Sequence, residues 1–254
     1  MLHFEQIAFG PIHSRRLGSS LGVNVLPVEG KLCNFDCIYC ECGWNRDGMP
    51  AGRRIFPGPD DVRKALSSKL EKCSEDGIAI DSITFSGNGE PTLNPYFPAI
   101  IDVTLELRDR YYPQSKVSVL SNAVMACREE IFSALEKVDN PIMKIDAATD
   151  AAVKAINRPA GGYSLEKVIC ALERFKGNFI LQTMFLKSPD FDSSSPEELS
   201  GWIDIVRRLR PREIMVYTID RETPMKGLQK FTAAQMEEMV RPLADEGFMI
   251  QIRG

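Results

Sequence analysis

The chain has 254 residues, of which 44% are hydrophobic and 26% are charged, as is usual for one globular α/β domain. Its formal net charge of −4 excludes a strong overall positive field that would attract nucleic acid. No apolar run approaches the roughly 18 residues of a membrane-spanning helix, so we expect a protein with no membrane partner.

The first predicted strand covers residues 21–27, where β-branched and apolar residues recur. A cluster of cysteines follows, and residues 41–59 form a predicted irregular loop because seven of these nineteen residues are glycine or proline. Beyond this loop, short apolar runs alternate with apolar residues at helical spacing. Strands are predicted near 83–85, 117–120, 142–145, 179–185, 214–217 and 248–250, and helices near 62–70, 97–105, 131–135, 165–175, 199–209 and 236–243.

Two of these helices have recognisable start signals. Ser195 and Pro196 would begin one helix, and Thr232 with Gln235 would form a capping box at the start of another. Strands that are mostly apolar and alternate with helices indicate a parallel sheet covered by helices. Periodicity alone does not distinguish a doubly wound sheet from a (β/α) barrel.

Three cysteines lie close together between the first strand and the long loop. They occur in the run Cys33-Asn34-Phe35-Asp36-Cys37-Ile38-Tyr39-Cys40. Three thiolates could hold a four-iron cluster and leave one iron without a protein ligand. With Cys42 as a fourth ligand they could instead bind zinc in an interaction module, or they could be buried free thiols.

Polar residues occur where several predicted strands end. The second strand runs into Ser86-Gly87-Asn88-Gly89-Glu90-Pro91-Thr92, the third into Asn122, and the fourth into Lys144-Ile145-Asp146. Lys144 and Gln182 interrupt apolar strands, and a polar ligand would offset the unfavourable burial of either side chain. Because carboxyl ends of parallel strands meet at one edge, we expect one site there.

The cysteine spacing, with the glycine-rich element after the second strand, resembles the radical S-adenosylmethionine (SAM) superfamily. That resemblance implies an α/β fold, a partial (β/α)6 TIM-like barrel in a single domain over residues 1–254. The cluster loop would cover 33–59, and a small helix-strand extension would begin at about 231. The family's Gly-Gly-Glu motif would correspond to Asn88-Gly89-Glu90, with its first glycine replaced.

The same resemblance implies the cofactors and their ligands. One 4Fe-4S cluster would be held by Cys33, Cys37 and Cys40, and SAM would chelate the remaining iron. The residues implied around SAM are Tyr39, Gly89, Glu90, Asn122, Asp146 and Gln182. The expected activity is reductive cleavage of SAM to a 5′-deoxyadenosyl radical, with electrons from an external flavodoxin or ferredoxin. The resemblance does not identify the substrate, which could be a small molecule, a peptide or RNA.

Several longer stretches look like the wyosine-base synthetases that modify tRNA. They are residues 9–18, 86–93, 144–159 and 182–186. Those enzymes carry a second cluster bound by cysteines upstream of the core, whereas no cysteine precedes Cys33 here. Modification of a tRNA base therefore stays as the alternative to an unidentified substrate. In the long loop, Trp44, Arg46, Arg53 and Arg54 could stack a base, hold phosphates or clamp a carboxylate.

The remaining cysteines are scattered along the chain. An odd total of seven favours a reducing compartment over a disulfide framework. The start of the chain lacks the features of a signal peptide, so we expect a cytoplasmic protein and a monomer. Cys73 and Cys170 lie in predicted helices, where we expect them to pack in the core.

Overall fold

The computed structural model describes residues 2–45 and 55–254. Within them, eight strands form one curled sheet in the order β1-β2-β3-β4-β5-β6-β9-β11, and β10, β7 and β8 form a second, small antiparallel sheet. The strands are β1 (Ala8–Ser14), β2 (Gly18–Val23), β3 (Ser82–Phe85), β4 (Lys116–Ser121), β5 (Asn140–Lys144), β6 (Ile180–Met184), β7 (Leu186–Ser188), β8 (Phe191–Asp192), β9 (Glu213–Tyr217), β10 (Gln229–Lys230) and β11 (Ile250–Arg253).

Helices connect the parallel strands of the curled sheet. They are α1 (Pro59–Glu75), α2 (Phe97–Tyr111), α3 (Glu129–Glu136), α4 (Asp150–Ile156), α5 (Leu165–Glu173), α6 (Pro196–Leu209) and α7 (Ala233–Asp245). The strands β2 to β6, β9 and β11 run parallel, and only β1 pairs antiparallel, with β2. The result is a half-barrel of α/β units, which confirms the predicted partial TIM-like barrel.

The core lies between the helices and one face of the sheet. Ile83, Phe85, Val117 and Val119 pack there against helix residues such as Leu66. Because successive strand residues point to opposite faces, Leu120, Ile142 and Met215 line the inner face instead. Full burial of each large apolar side chain contributes about 1.5–3 kcal/mol, so this outer layer stabilises the barrel that carries the inner polar residues.

The turn between β1 and β2 crosses the open side of the half-barrel. The backbone oxygen of Arg15 accepts a 2.7 Å hydrogen bond from Arg253 Nε, and Arg15 Nη1 donates to the Gly254 oxygen at 3.1 Å. Arg15 also lies 3.2 Å from Asp220. Strand β1 forms one edge of the sheet and β11 the other, so these contacts join its two edges.

Differences from the sequence predictions concern the first strands and several short elements. The first parallel strand is β2 at Gly18–Val23 rather than 21–27, and β1 was not predicted. The seven-residue helix α4 and the small sheet were also not predicted, because such short elements show little periodicity. The predicted extension from about residue 231 contains α7 and β11, and β11 pairs with β9 as part of the main sheet.

The two predicted helix starts have different outcomes. Thr232 and Gln235 form the expected capping box on α7, with Gln235 N–H donating to Thr232 Oγ1 at 3.2 Å. Helix α6 begins at Pro196 as predicted, but the Ser195 hydroxyl makes no capping bond. The carboxylate of Glu198, three residues after Ser195, does not cap the helix start either, because it accepts from the backbone N–H of Ala148. Within the described ranges no helix is long and apolar enough to cross a membrane.

Candidate functional site

The cysteine-bearing loop is joined by backbone hydrogen bonds to the glycine-rich turn that follows β3. Leu32 N–H donates to the Asn88 oxygen at 2.7 Å, and Glu90 N–H donates to the Leu32 oxygen at 3.0 Å. Gly89, between the two, has φ = +135°, and a Cβ there would lie 1.9 Å from the Leu32 oxygen. Only glycine fits this crossing of two chains.

Three thiols of the loop face one cavity at the carboxyl ends of the strands, those of Cys33, Cys37 and Cys40. Burial raises the pKa of Cys33 and Cys37, whereas the adjacent Cys42 thiol lowers the pKa of Cys40. A coordinated metal would deprotonate such thiols. Three cysteine sulfurs at one cavity could hold an iron–sulfur cluster and leave one iron without a protein ligand.

A buried lysine lies beside the same thiols. Lys31 Nζ donates to the Gly43 oxygen at 2.9 Å and to Asp36 Oδ1 at 3.2 Å. Burial acts to lower its pKa, but the negative charges of Cys40, Cys33 and Cys37 raise it above its usual value. A permanent positive charge next to the sulfurs favours their thiolate forms.

Helix α4 anchors the cysteine loop from the other side. Ile38 N–H donates to the Ile156 oxygen, and Asp36 N–H donates to the Asn157 oxygen, both at 2.9 Å. The side-chain amide of Asn157 donates to Asp146 Oδ2 at 2.7 Å and to the Tyr39 hydroxyl at 3.2 Å. The Tyr39 hydroxyl also donates to Asp146. The Tyr39 side chain is therefore held within the protein, below the cavity.

Lys144 is paired within the protein. Its Nζ lies 2.8 Å from Asp146 Oδ2 and 3.3 Å from Cys37 Sγ, and 4.9 Å from the centre of the Phe35 ring. Burial acts to lower the pKa of Lys144, but the charges of Asp146 and Cys37 raise this pKa and keep the lysine cationic. The expectation that this lysine needs a ligand is therefore replaced by a protein ion pair.

Glu90 uses its carboxylate inside the protein. Oε1 accepts from Thr92 Oγ1 at 2.6 Å and Ser121 Oγ at 2.9 Å, while Oε2 accepts from Asn122 N–H at 2.7 Å. Burial raises its pKa, and these bonds oppose the rise. Asn122 in turn donates from Nδ2 to Asn34 Oδ1 at 2.5 Å, next to Cys33 Sγ at 3.7 Å.

The structure brings most of the predicted site residues to this one cavity, which has a volume of about 260 Å³. Its lining includes Cys33, Cys37, Cys40, Tyr39, Gly89, Glu90, Asn122 and Gln182. Asp146 lies outside this lining, with its carboxylate fully enclosed by Lys144, Asn157, Tyr39 and the Met184 N–H. Cys42 is also outside: its thiol donates to the Gly87 oxygen at 3.3 Å and lines a neighbouring cavity.

Several lining residues were not singled out as site residues by the sequence. Arg16 comes from the β1–β2 turn, and Phe35, Met184 and Tyr217 contribute apolar and aromatic surface. Arg16 lies in the stretch of residues 9–18, where no spacing signal marked it as a site residue. Asn157 likewise acts through contacts with a distant part of the chain. Lys31 was not singled out either, although its partners Asp36 and Gly43 are near it in sequence.

The sequence predictions for the other cysteines and for the long loop of residues 41–59 have mixed outcomes. Cys73 is buried in the core as expected, but Cys170 is exposed, so its predicted core role is wrong. Cys127 is exposed as well. Trp44 packs with Arg158, whose guanidinium lies 5.0 Å from the ring centre. The predicted contributions of Arg46, Arg53 and Arg54 lie outside the described residues.

Comparison with known proteins adds a family and a fold. Residues 30–187 match the profile of the Radical SAM superfamily. A UPF0026 protein of Methanocaldococcus jannaschii is 30% identical over 216 residues, covering 84% of this chain. This chain spans 63% of the length of that relative.

Two solved structures share the fold. A radical SAM methyltransferase from Sphaerobacter thermophilus superposes with a TM-score of 0.69 at 14% identity, covering 92% of this chain and 65% of its own. An archaeal TYW1 superposes with a TM-score of 0.53 at 12% identity, covering 90% and 72%. At these identities the likeness concerns the architecture of the barrel.

Proposed function

The chain belongs to the radical SAM superfamily, and we propose that it cleaves SAM reductively at a 4Fe-4S cluster held by Cys33, Cys37 and Cys40. Membership of the superfamily implies an enzyme that uses an iron–sulfur cluster and SAM. The observation that carries the proposal is the shared cavity: the three thiols, Gly89 and Asn122 all line it. Such a cluster, when reduced by an external flavodoxin or ferredoxin, supplies the electron that splits SAM into methionine and a 5′-deoxyadenosyl radical.

The residues of the chain would position the cofactor and exclude water. Gly89 lines the cavity with backbone atoms alone, and the Glu90 carboxylate is occupied by Thr92, Ser121 and Asn122. Polar contacts with SAM are therefore assigned to backbone groups of this turn, to the Gln182 amide and to the second N–H of the Asn122 amide, whose first N–H donates to Asn34. Tyr39 would contribute main-chain contacts, since its hydroxyl is bound to Asp146.

The alternatives receive no separate support. A zinc site would need Cys33, Cys37, Cys40 and Cys42 to converge on one ion; Cys42 lies beside Cys40 but lines the neighbouring cavity. Among residues 2–45 and 55–254, no three His, Cys, Asp or Glu side chains are placed to share a metal ion. For a wyosine-type reaction on tRNA, the likeness to TYW1 concerns the fold and not the substrate.

The proposal is tested by anaerobic reconstitution with iron and sulfide. We expect about four irons per chain and dithionite-dependent formation of 5′-deoxyadenosine from SAM. Alanine at Cys33, Cys37 or Cys40 should abolish both, while Cys42→Ala should retain the cluster and Cys127→Ala serves as an exposed control. Stoichiometric zinc without iron, or loss of the cluster in Cys42→Ala, would contradict this assignment.

A further inference from the structure

A second cavity lies beside the proposed cofactor cavity, and Arg16 lines both. This second cavity also has a volume of about 260 Å³. Its walls carry hydroxyl groups from Ser20, Thr84 and Ser86 and aromatic surface from Phe4 and Phe9. In the part of the chain that the structure describes, none of the residues proposed to bind the cluster or SAM lines it. It is therefore a space next to the cofactors that is not already assigned to them.

Arg16 is held at the junction by its neighbours. Its guanidinium carbon lies 4.7 Å from the centre of the Tyr217 ring at the end of β9. The turn that carries it is fixed to the opposite sheet edge through Arg15, Arg253 and Gly254. The guanidinium is thus fixed at the lateral opening of the half-barrel, where the two cavities meet.

One nitrogen of this guanidinium has no partner. Arg16 Nη1 is buried and makes no hydrogen bond with any residue in 2–45 or 55–254. A buried donor left unpaired is unfavourable by about 1–3 kcal/mol, and more when it carries charge. An arginine fork is suited to the paired oxygens of a carboxylate or phosphate.

The other charged groups around the two cavities already have partners. Lys144 is paired with Asp146 at 2.8 Å, and Glu41 with Arg221 at 2.6 Å. Arg15 contacts Asp220 at 3.2 Å. Arg16 is left as the cation whose charge no protein carboxylate balances within the described residues.

We propose that Arg16 binds an oxyanion of the substrate, and that the substrate is a small molecule bearing a carboxylate or phosphate group. This inference rests on the proposed SAM chemistry. The anion would sit at the junction, with the rest of the substrate in the second cavity and facing the cofactors. The formal net charge of −4 leaves no broad basic footprint for a polyanion such as RNA, which favours a small molecule.

The test measures anion and SAM binding separately. The anaerobically reconstituted protein is loaded with SAM without reductant, and inorganic phosphate or succinate is titrated in by calorimetry. We expect one of the two anions to bind, and Arg16→Gln to weaken it about tenfold or more because a charge-assisted donor pair is lost, with SAM affinity unchanged. Which probe binds distinguishes a phosphate from a carboxylate group.

Two further variants control for folding of the turn. Arg253→Gln removes the bond to the Arg15 oxygen without touching either cavity, and should weaken anion binding less than Arg16→Gln does because it only loosens the turn. Arg16→Lys keeps the charge but not the fork, and should retain part of the affinity. Circular dichroism checks that each variant is folded.

The remaining outcomes overturn the proposal. A tenfold loss of SAM affinity in Arg16→Gln, with no anion bound by the unaltered protein, would assign Arg16 to the carboxylate of SAM. If Arg16→Gln binds both SAM and the anions as the unaltered protein does, Arg16 is only a structural contact of Tyr217. If no cluster or SAM is bound at all, the proposed function fails, whereas titration of the anions without SAM still tests Arg16.

Discussion

The backbone oxygen of Leu32 occupies the place that a side chain on Gly89 would need, 1.9 Å from the position of its Cβ. The same oxygen accepts the Glu90 N–H at 3.0 Å. The glycine after β3 and the loop with the cysteines are therefore one structural unit. A side chain at Gly89 should therefore displace the cysteine loop as well as disturb the cofactor cavity.

We predict that Gly89→Ala lowers iron content together with SAM affinity. The added Cβ meets backbone rather than a movable side chain, and φ = +135° is unfavourable for alanine. Iron and sulfide analysis after reconstitution, with calorimetry for SAM, measures the two effects. Gly161→Ala is the control, since nothing lies within 4 Å of its Cβ. Full iron content with reduced SAM affinity would instead support simple steric exclusion.

The buried pair of Lys144 and Asp146 should be important for stability. We expect Asp146→Ala to lower the free energy of unfolding by about 3–5 kcal/mol, because it leaves a buried ammonium without its partner. Urea denaturation under anaerobic conditions measures this. Asp204→Ala breaks an exposed pair with Arg207 and is expected to change stability little. Equal effects of the two variants would show that Lys144 finds another partner.

The sequence predicted the barrel well because its central strands and amphipathic helices bury continuous apolar surface. In α6 the helical periodicity follows directly from the burial of one face, whereas Ile83 to Phe85 belong to a strand that is buried on both faces. Cys170 shows a limit of this reasoning. Its position in a helix was read correctly, but its side chain lies on the exposed face near Arg208.

The candidate site was predicted where the ligands are close in sequence, as with Cys33, Cys37 and Cys40. It was incomplete where support comes from far along the chain. Asn157 contacts Tyr39 across 118 positions, and no local pattern indicates this. Asp146 was expected in the pocket because it follows a strand, but the amide of Asn157 and the charge of Lys144 enclose it.

Asp139 should make folding stability dependent on pH. Burial acts to raise its pKa, but bonds from Val117 N–H at 2.8 Å and Arg108 Nη1 at 2.6 Å hold the pKa below its usual value. A lowered pKa means that the stabilisation is fully present above the unfolded-state pKa of about 3.9 and is lost as pH falls through the folded value.

We therefore predict that Asp139→Asn is less stable than the unaltered protein at neutral pH and that this difference shrinks below about pH 4. Urea denaturation at a series of pH values measures the difference. Asp109→Asn is the control, because that carboxylate contacts the same arginine from an exposed position. A difference that does not vary with pH would mean that the ionised form of Asp139 contributes nothing.

Lys31 should tune the proposed cluster. Its ammonium is buried next to the three thiols and bound to the Gly43 oxygen and to Asp36. Because net charge and nearby donors set cluster potentials, a fixed positive charge should stabilise the reduced form. We predict that Lys31→Met shifts the midpoint potential to more negative values by roughly 60 mV, which is a tenfold change in a one-electron equilibrium.

The opposite charge change supplies the matched test. Asp36→Asn removes a negative charge from the same pair, so the midpoint potential should rise instead of falling. Lys137→Met is the control for a charge on the outer helices, where Lys137 pairs with Asp102. Anaerobic titration followed by electron paramagnetic resonance measures each potential. Shifts of the same sign in Lys31→Met and Asp36→Asn would trace the effect to a disturbed loop rather than to charge.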